Sequence, residues 1–415
     1  MRELDETAGG GPIGARLAAW RRHRDLTRDD LAFRTGLALD YLAGLETGRE
    51  WVDRRGRLAA LAAALRLDVA DLTGQPYPPR GQEHAAVRAV AFHLRRSLVR
   101  RQPDTAPGML LGELEERTRA AAQADSAGDE HHLALALPEL IEAADHALAA
   151  AAGPGREEAV RLRVDAHVLA AGLLRRLGYK DLAWMLLHRA RPGTREPLPV
   201  LVEEVRLLID FGLPEYALAR AERAGADLEL PTLAAVAQAM AGRRSEAERL
   251  LATAAERAAD AREAALVIAA RAAVAAEVGD AAGAADHVRA ADHAALDGAH
   301  RSSLLVVAAA AEARQDRADQ AAVRLVEADA AAPLRLRLDP FARDLVAALT
   351  DRTTVHTAAV RDLAERAGLR TGEEHRRVPH RPAAAGPRSA GPAGLGPPHR
   401  LASLTSGASL IPLSA

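Results

Sequence analysis

Apolar residues between positions 12 and 74 recur at the spacing of amphipathic helices, in short stretches separated by turn residues. The first stretch begins at Pro12, which suits the first turn of a helix, and runs to position 23. Thr27 and Asp30 have the spacing of a capping box, and Gly36 permits the left-handed turn after a second helix. A third helix ending at Gly48, a fourth over about 54–65 and a short turn in DVADLTG follow. The pattern predicts a bundle of five short helices.

The spacing of small, turn and apolar residues within this bundle narrows the choice of fold; the positions concerned are Ala32, Gly36, Leu37, Leu42 and Leu45. With IGARLAAWRRHRDLT before them, LETG after them and LAALAAALRLDVADL as closing helices, residues 12–74 resemble the helix-turn-helix of the XRE (lambda-repressor-like, Cro/CI) family. The resemblance implies that Ala32 lets the second and third helices cross closely. It also implies a structural ion pair between Arg21 and Glu46.

The same resemblance implies which residues contact double-stranded DNA. Leu39, Asp40 and Gly44 occupy the base-facing positions of the third helix, and Arg28 stands where the family usually has a phosphate-bracing Gln. A leucine can meet a thymine methyl group and an aspartate can accept from a cytosine amino group, whereas glycine reads nothing. The expected backbone contacts are Tyr41, Arg49, Arg54, Arg55 and Arg57. Because the reading residues are weak, a protein-interaction scaffold with a degenerate helix-turn-helix is the alternative.

The charge of this segment favours a dimer. From position 12 to position 75 the chain has eleven arginines and nine acidic residues, a net charge of +2. That is a small charge for a single domain holding DNA, and a homodimer doubles the phosphate contacts while half-site spacing adds selectivity. The sequence therefore predicts a sequence-specific DNA-binding transcriptional regulator that acts as a homodimer.

Residues 75–82, rich in Pro and Gly, predict a linker, and a helical repeat is expected over 83–351. Its pattern is a turn residue, an alanine five positions later and another alanine twelve positions later. The turn positions are Gly178, Gly212, Gly242, Gly279 and Asp316, spaced by 34, 30, 37 and 37 residues, with a further copy near Gly128 out of register. This is similar to the tetratricopeptide repeat (TPR); a general array of paired helices is the alternative. A terminal helix is expected over 352–370 and a disordered Pro/Gly/Ala/Ser-rich tail over 371–415.

A TPR-like solenoid curls around a concave groove, which suits a peptide or a small-molecule ligand. Repeat phase places Val164, His167, Glu203, Arg206 and Arg271 on the first helices of the pairs, where they are expected to line that groove. The combined architecture resembles the peptide-sensing XRE–TPR regulators of Gram-positive bacteria. The resemblance implies a ligand-sensing or dimerisation role for the array.

Composition supports an all-α protein. Together with the two resemblances, it predicts a small five-helix DNA-binding bundle followed by a TPR-like α-solenoid. Hydrophobic residues are 49% but aromatic residues only 3%, so the core is expected to consist of Ala, Leu and Val. The chain has no cysteine and one lysine, and its arginine richness is typical of a GC-rich coding bias. His131 and His132 are adjacent, a poor arrangement for chelation on a helix. No catalytic, metal or cofactor motif and no membrane-spanning run is found, which predicts a cytoplasmic non-enzyme.

Overall fold

The computed structural model describes residues 12–99, 109–153, 155–191, 197–222 and 228–369, and every regular element within these ranges is an α-helix. The N-terminal five are α1 (Pro12–His23), α2 (Arg28–Thr35), α3 (Leu39–Thr47), α4 (Arg55–Leu65) and α5 (Val69–Thr73). The expected all-α class is therefore confirmed. The expected tail over 371–415 and Ala224 of the repeat pattern lie outside the described residues.

Local signals in the sequence determine the ends of α2. The Thr27 hydroxyl accepts from the Asp30 amide, and the Asp30 carboxylate accepts from the Thr27 amide, which completes a capping box. Gly36 ends the helix with φ of +69°, a conformation in which a Cβ would be strained. Helices α2 and α3 pack with α1, α4 and α5 around an apolar core. This core includes Leu17, Leu31, Leu42, Leu45 and Leu61.

Helix α1 approaches α3 at the closest point in the N-terminal domain. Gly14 lies against the carbonyl of Leu45, and a Cβ at position 14 would overlap that oxygen. The obstacle is backbone, so a rotamer change cannot relieve the overlap. Gly14 therefore determines how closely the first helix packs on the third.

The remaining described helices form an array in which most helices pack against the next along the chain. They are α6 (Gly81–Val99), α7 (Leu111–Ala127), α8 (Glu130–Ala150), α9 (Gly155–Leu177), α10 (Lys180–Ala190), α11 (Leu198–Asp210), α12 (Pro214–Ala221), α13 (Glu229–Met240), α14 (Arg244–Arg257), α15 (Ala261–Val278), α16 (Ala281–Ala290), α17 (Gly298–Arg314), α18 (Ala318–Ala331), α19 (Pro333–Leu338), α20 (Pro340–Leu349) and α21 (Thr357–Ala367).

The turn residues of the predicted repeat have the left-handed backbone that the pattern requires. The residues with positive φ are Gly128, Gly178, Gly212, Gly242, Gly279 and, in the glycine's place, Asp316. The alanines five positions after the last five of these are fully buried: Ala183, Ala217, Ala247, Ala284 and Ala321. Small residues at these sites let the paired helices approach. The geometry is compatible with a TPR-like array and with a general array of paired helices.

The array curves until late helices touch early ones. Helix α17 packs against α7, and α19 contacts α9. Arg335 of α19 donates through Nε to Glu130 of α8 at 2.9 Å and through Nη2 to Asp125 of α7 at 2.9 Å. Arg335 therefore fills part of the inner side of the array with polar contacts.

Three of the five residues expected to line an open groove are buried instead. Val164, His167 and Glu203 are each at most 4% exposed. His167 packs between helices, its Nδ1 donates to the carbonyl of Arg163 at 2.8 Å, and burial lowers its pKa to about 4. Arg206 is half-buried and pairs with Glu203 and Glu229. The expectation of an open groove at Val164, His167 and Glu203 was wrong because ion pairs and neighbouring helices occupy that space; Arg271 is half-buried.

Candidate nucleic-acid interface

A buried carboxylate organises the three helices nearest the candidate reading surface. Glu46 of α3 accepts from Arg21 Nε at 2.5 Å and Nη2 at 2.9 Å, and from Arg28 Nε at 2.8 Å. Arg21 also donates to the carbonyl of Leu26 at 2.7 Å. Burial alone would raise the pKa of Glu46, but the bonds from both arginines hold it below its ordinary value. The cluster joins α1, α2 and α3 through charge-assisted hydrogen bonds.

The N-terminal turn of α3 is exposed. Leu39 is 44% exposed, the Asp40 side chain is 95% exposed, and Ala43 one turn later is half-buried. Together with Arg22 and Arg28 these residues line an open concavity between α2 and α3. A helix whose first turn projects in this way can enter a major groove. The structure therefore brings Leu39, Asp40 and Arg28 together on one accessible surface.

Gly44 is not on that surface. It is buried, and a Cβ there would lie 2.6 Å from Cγ of Glu50. The glycine allows the chain after α3 to fold back onto the helix, and the Glu50 amide donates to the carbonyl of Gly44 at 3.0 Å. The expectation that Gly44 faces a base was wrong because the position is covered by the following loop.

Tyr41 is also turned inward. Its hydroxyl donates to the carbonyl of Trp51 at 3.1 Å, and burial raises its pKa to about 12. The guanidinium of Arg57 lies over the ring, 4.6 Å from its centroid. A hydroxyl already bonded inside the protein is not positioned for a phosphate, which corrects the expected role of Tyr41.

Three of the arginines that follow α3 are engaged by other parts of the protein. Arg57 pairs with Asp53 at 3.1 Å, and Arg55 approaches Asp210 of α11 at 3.5 Å. The guanidinium of Arg54 packs against the Gly279 turn, and burial lowers its pKa. These three were expected to bind the DNA backbone; instead Arg54 and Arg55 hold the N-terminal domain to the array, and Arg57 is engaged inside the N-terminal domain by Asp53 and Tyr41. Arg49 remains exposed, 3.8 Å from the Asp40 carboxylate.

Arg314 of α17 fastens the loop that follows α3. Its Nη1 lies 2.5 Å from Glu50, its Nε 2.7 Å from Asp53, and its Nη2 donates to the carbonyl of Trp51 at 3.1 Å. The guanidinium also stacks on Trp51, 3.9 Å from a ring centroid. Residues 50–53 are therefore tied to the array by four contacts of one side chain.

Two carboxylates of the array cap helices of the N-terminal domain. Glu277 of α15 accepts from the amides of Arg55 at 2.8 Å and Gly56 at 2.7 Å, at the start of α4. Asp344 of α20 accepts from Ile13 in α1 at 3.1 Å and from Val52 at 2.8 Å. Carboxylates satisfy the free amides of helix N-termini. Part of the N-terminal domain's hydrogen bonding is thus supplied by residues more than 200 positions away.

We expect the free energy of unfolding to depend on pH through Asp344. Burial raises its pKa to about 6, although the amides of Val52 and Ile13 and the charge of Arg16 oppose this shift. Its stabilising contribution is fully present below the ordinary aspartate pKa and is lost as the pH rises through about 6. Between pH 4 and 7 this carboxyl is expected to change the free energy of unfolding by about 2 to 3 kcal/mol, and Asp344→Asn should remove that change. Urea unfolding of both proteins at several pH values measures this; parallel curves would contradict it.

The helix-turn-helix geometry of α2 and α3, braced by α1, α4 and α5, defines a class of small DNA-binding domain. In agreement, residues 12–73 match a family model described as a helix-turn-helix domain. No curated protein and no solved structure matches the chain. Within the described ranges, no helix is long and apolar enough to cross a membrane, and no group of three acidic or histidine side chains is placed to hold a metal ion.

Proposed function

We propose that this protein is a cytoplasmic, sequence-specific DNA-binding transcriptional regulator of the XRE type, acting by binding and not by catalysis. The observation that carries the proposal is the exposed first turn of α3, with Leu39 and Asp40 beside the cations of Arg22 and Arg28. The helix-turn-helix match over residues 12–73 supports DNA as the partner. The array of paired helices packed against the N-terminal domain supports the second part of the proposal, a TPR-like domain that controls DNA binding.

In this proposal α3 lies in the major groove. Asp40 accepts from a cytosine amino group and Leu39 contacts a thymine methyl group, because these are the base-edge groups that suit a carboxylate and an apolar side chain. Backbone contacts come from Arg22, Arg28 and Arg49. They do not come from Arg54, Arg55 and Arg57, whose guanidinium groups are engaged with the array or with Asp53 and Tyr41.

A homodimer completes the proposal. The engagement of those three arginines leaves each copy with fewer cations for DNA than its sequence offers, which strengthens the argument from net charge. Two copies bound to half-sites one helical turn apart provide the missing affinity and selectivity. Selected sites are then expected to be palindromic.

The proposal is tested by selection from a random double-stranded DNA library with the full chain at several salt concentrations. We expect enrichment of a palindromic motif at moderate salt. Absence of any enriched motif would contradict the regulator and favour the second candidate, a protein-interaction scaffold whose helix-turn-helix no longer reads DNA. The inward arginines and the weak reading residues are the observations behind that second candidate.

Arg22 is the residue at which the contribution of a single phosphate contact can be measured. It is exposed and makes no ion pair among the described residues, so we expect it to contact a phosphate. Arg22→Ala should weaken binding of the selected duplex without changing the motif, and should lower the slope of log affinity against log salt by about 1 per protomer. Arg257→Ala, which removes an exposed arginine from α14, is the matched control. Equal slopes for all three proteins would remove Arg22 from the interface.

A further inference from the structure

A polar cavity of about 200 Å³ lies between the N-terminal domain and the inner side of the array. One wall contains Arg55, Leu58 and Val69 of the helix-turn-helix domain, and another contains Arg175, Lys180 and Asp210 of the array. The cavity therefore joins the two parts of the chain. Its lining has more cationic than anionic side chains.

Lys180 is the unusual member of this lining. It is the only lysine in a chain of 54 arginines, and it is 7% exposed. Its Nζ donates to the carbonyl of Asp210 at 2.7 Å, but no carboxylate lies within ion-pair distance among the described residues. An ammonium has three donors, so two are left without a protein acceptor in a buried place, where that is costly.

The nearby carboxylates are already engaged. Asp210 accepts from Arg175 at 2.9 Å and lies 3.5 Å from Arg55. Asp339 accepts from the amides of Phe341 and Ala342, both at 2.8 Å, at the start of α20. The ammonium of Lys180 thus lines the cavity with no carboxylate oxygen in direct contact among the described residues.

A second cavity, of about 210 Å³, adjoins the first. The two share Arg55, Ser303, Arg335, Asp339 and Phe341, so these residues form their common boundary. The walls of the second cavity are largely apolar and include Val236, Ala273, Val306 and Val307. One end of the combined space suits an anion and the other suits a hydrocarbon group.

We propose that the two cavities form one binding site for a small carboxylic acid with an apolar body. The carboxylate accepts hydrogen bonds from Lys180 and Arg55, and the apolar body lies against Val236, Val306 and Val307. Binding gives the free donors of Lys180 an acceptor and removes apolar surface from water. An anion without an apolar body supplies only the first contribution, and an uncharged amphiphile lacks the charge that strengthens it.

The site also contacts the segment that follows the reading helix. Trp51, Val52 and Asp53 line the second cavity, and Arg55 lines both. A ligand there touches the residues that Arg314 and Asp344 hold, so its binding is coupled to the position of the loop after α3. This coupling rests on the proposed control of the N-terminal domain by the array, whereas the binding site itself does not.

The site is tested by calorimetric titration of the full chain without DNA. The probes are hexanoate, octanoate and decanoate, with octanol and inorganic phosphate as matched compounds that lack the charge or the apolar body. We expect saturable binding of at least one carboxylate, with octanol and phosphate weaker by roughly tenfold or more. No binding by any of the three carboxylates, or equal binding of octanol, overturns the proposal.

Variants locate the bound carboxylate. Lys180→Met removes the ammonium and is expected to weaken binding by roughly tenfold. Ala273→Leu fills the apolar cavity and should abolish binding, whereas Ala252→Leu on the exposed side of α14 should leave it unchanged. Unaltered binding by Ala273→Leu would place the ligand elsewhere and overturn the proposal even if Lys180→Met fails to fold. Because no DNA is present, these outcomes are independent of whether the protein reads DNA.

Discussion

Gly14→Ala is expected to destabilise the N-terminal domain by about 3 kcal/mol or more, at the upper end of overpacking effects, because the new Cβ overlaps the carbonyl oxygen of Leu45. The backbone of α3 cannot move away without disturbing the Glu46 cluster behind it. Urea unfolding of the full chain measures the loss, followed by the fluorescence of its three tryptophans, of which Trp20 and Trp51 lie in this domain and Trp184 in the array. DNA binding should fall with it.

Gly112→Ala is the matched control for this substitution. Gly112 lies in α7 with open space where its Cβ would be. Alanine in place of a mid-helix glycine favours the folded state by about 0.5 to 1 kcal/mol, and a smaller gain is expected at Gly112 because it lies in the first turn of α7. Opposite signs for the two variants are expected; a neutral Gly14→Ala would show that α1 and α3 are farther apart than described here.

The second large effect is expected at Glu46. Glu46→Ala leaves Arg21 buried without its counter-ion and removes the brace on Arg28, and breaking a buried pair of this kind costs about 3 to 5 kcal/mol. Since both arginines lower the pKa of Glu46, the wild-type contribution is present above the ordinary glutamate pKa and is lost as the pH falls through the lowered value. Thermal and urea unfolding of the full chain measure the change.

Glu248→Ala removes one partner of the exposed pair between Arg244 and Glu248 on α14, and no measurable change is expected there. Glu46→Gln keeps the shape and one acceptor, so it should lie between wild type and Glu46→Ala. An unchanged unfolding curve for Glu46→Ala would contradict the assignment of this glutamate to the core of the helix-turn-helix.

Local patterns in the sequence were sufficient for most of the N-terminal domain. The capping box at Thr27, the turn at Gly36 and the repeat turns with their buried alanines depend on residues a few positions apart, and the structure has each of them. The ion pair of Arg21 and Glu46 came from the family resemblance, and the structure places these side chains in contact.

Contacts between residues far apart in the sequence determine the features that local patterns do not predict. Arg54 and Arg55 face the array because of the Gly279 turn and Asp210, and no local signal links these distant positions. Arg57 pairs with Asp53 four positions earlier, a spacing that is visible in the sequence. The curvature that brings α17 against α7 is set by small rotations at each helix pair, so repeat spacing did not reveal that the expected groove is filled. Gly44 had a usable signal, because a glycine inside a helix often marks a close approach.

The capping carboxylates couple the N-terminal domain to the array. Because Glu277 and Asp344 satisfy amides of α4 and α1, the helix-turn-helix and the array stabilise each other. A ligand or partner that shifts the array can act on the N-terminal domain through these bonds, through Arg314, or through the contacts of Arg54 and Arg55. The structure thus offers a direct physical route from the array to the loop behind the reading helix.

The central claim is that α3 reads DNA bases, and a repeated selection with Asp40→Asn tests it most directly. Asp40 is exposed, so we expect an asparagine there to leave the fold unchanged. A carboxylate accepts from cytosine whereas an asparagine pairs with adenine, so we expect the preferred motif to change at one position in each half-site and nowhere else. An identical motif for wild type and variant, or no motif for either, would contradict the claim.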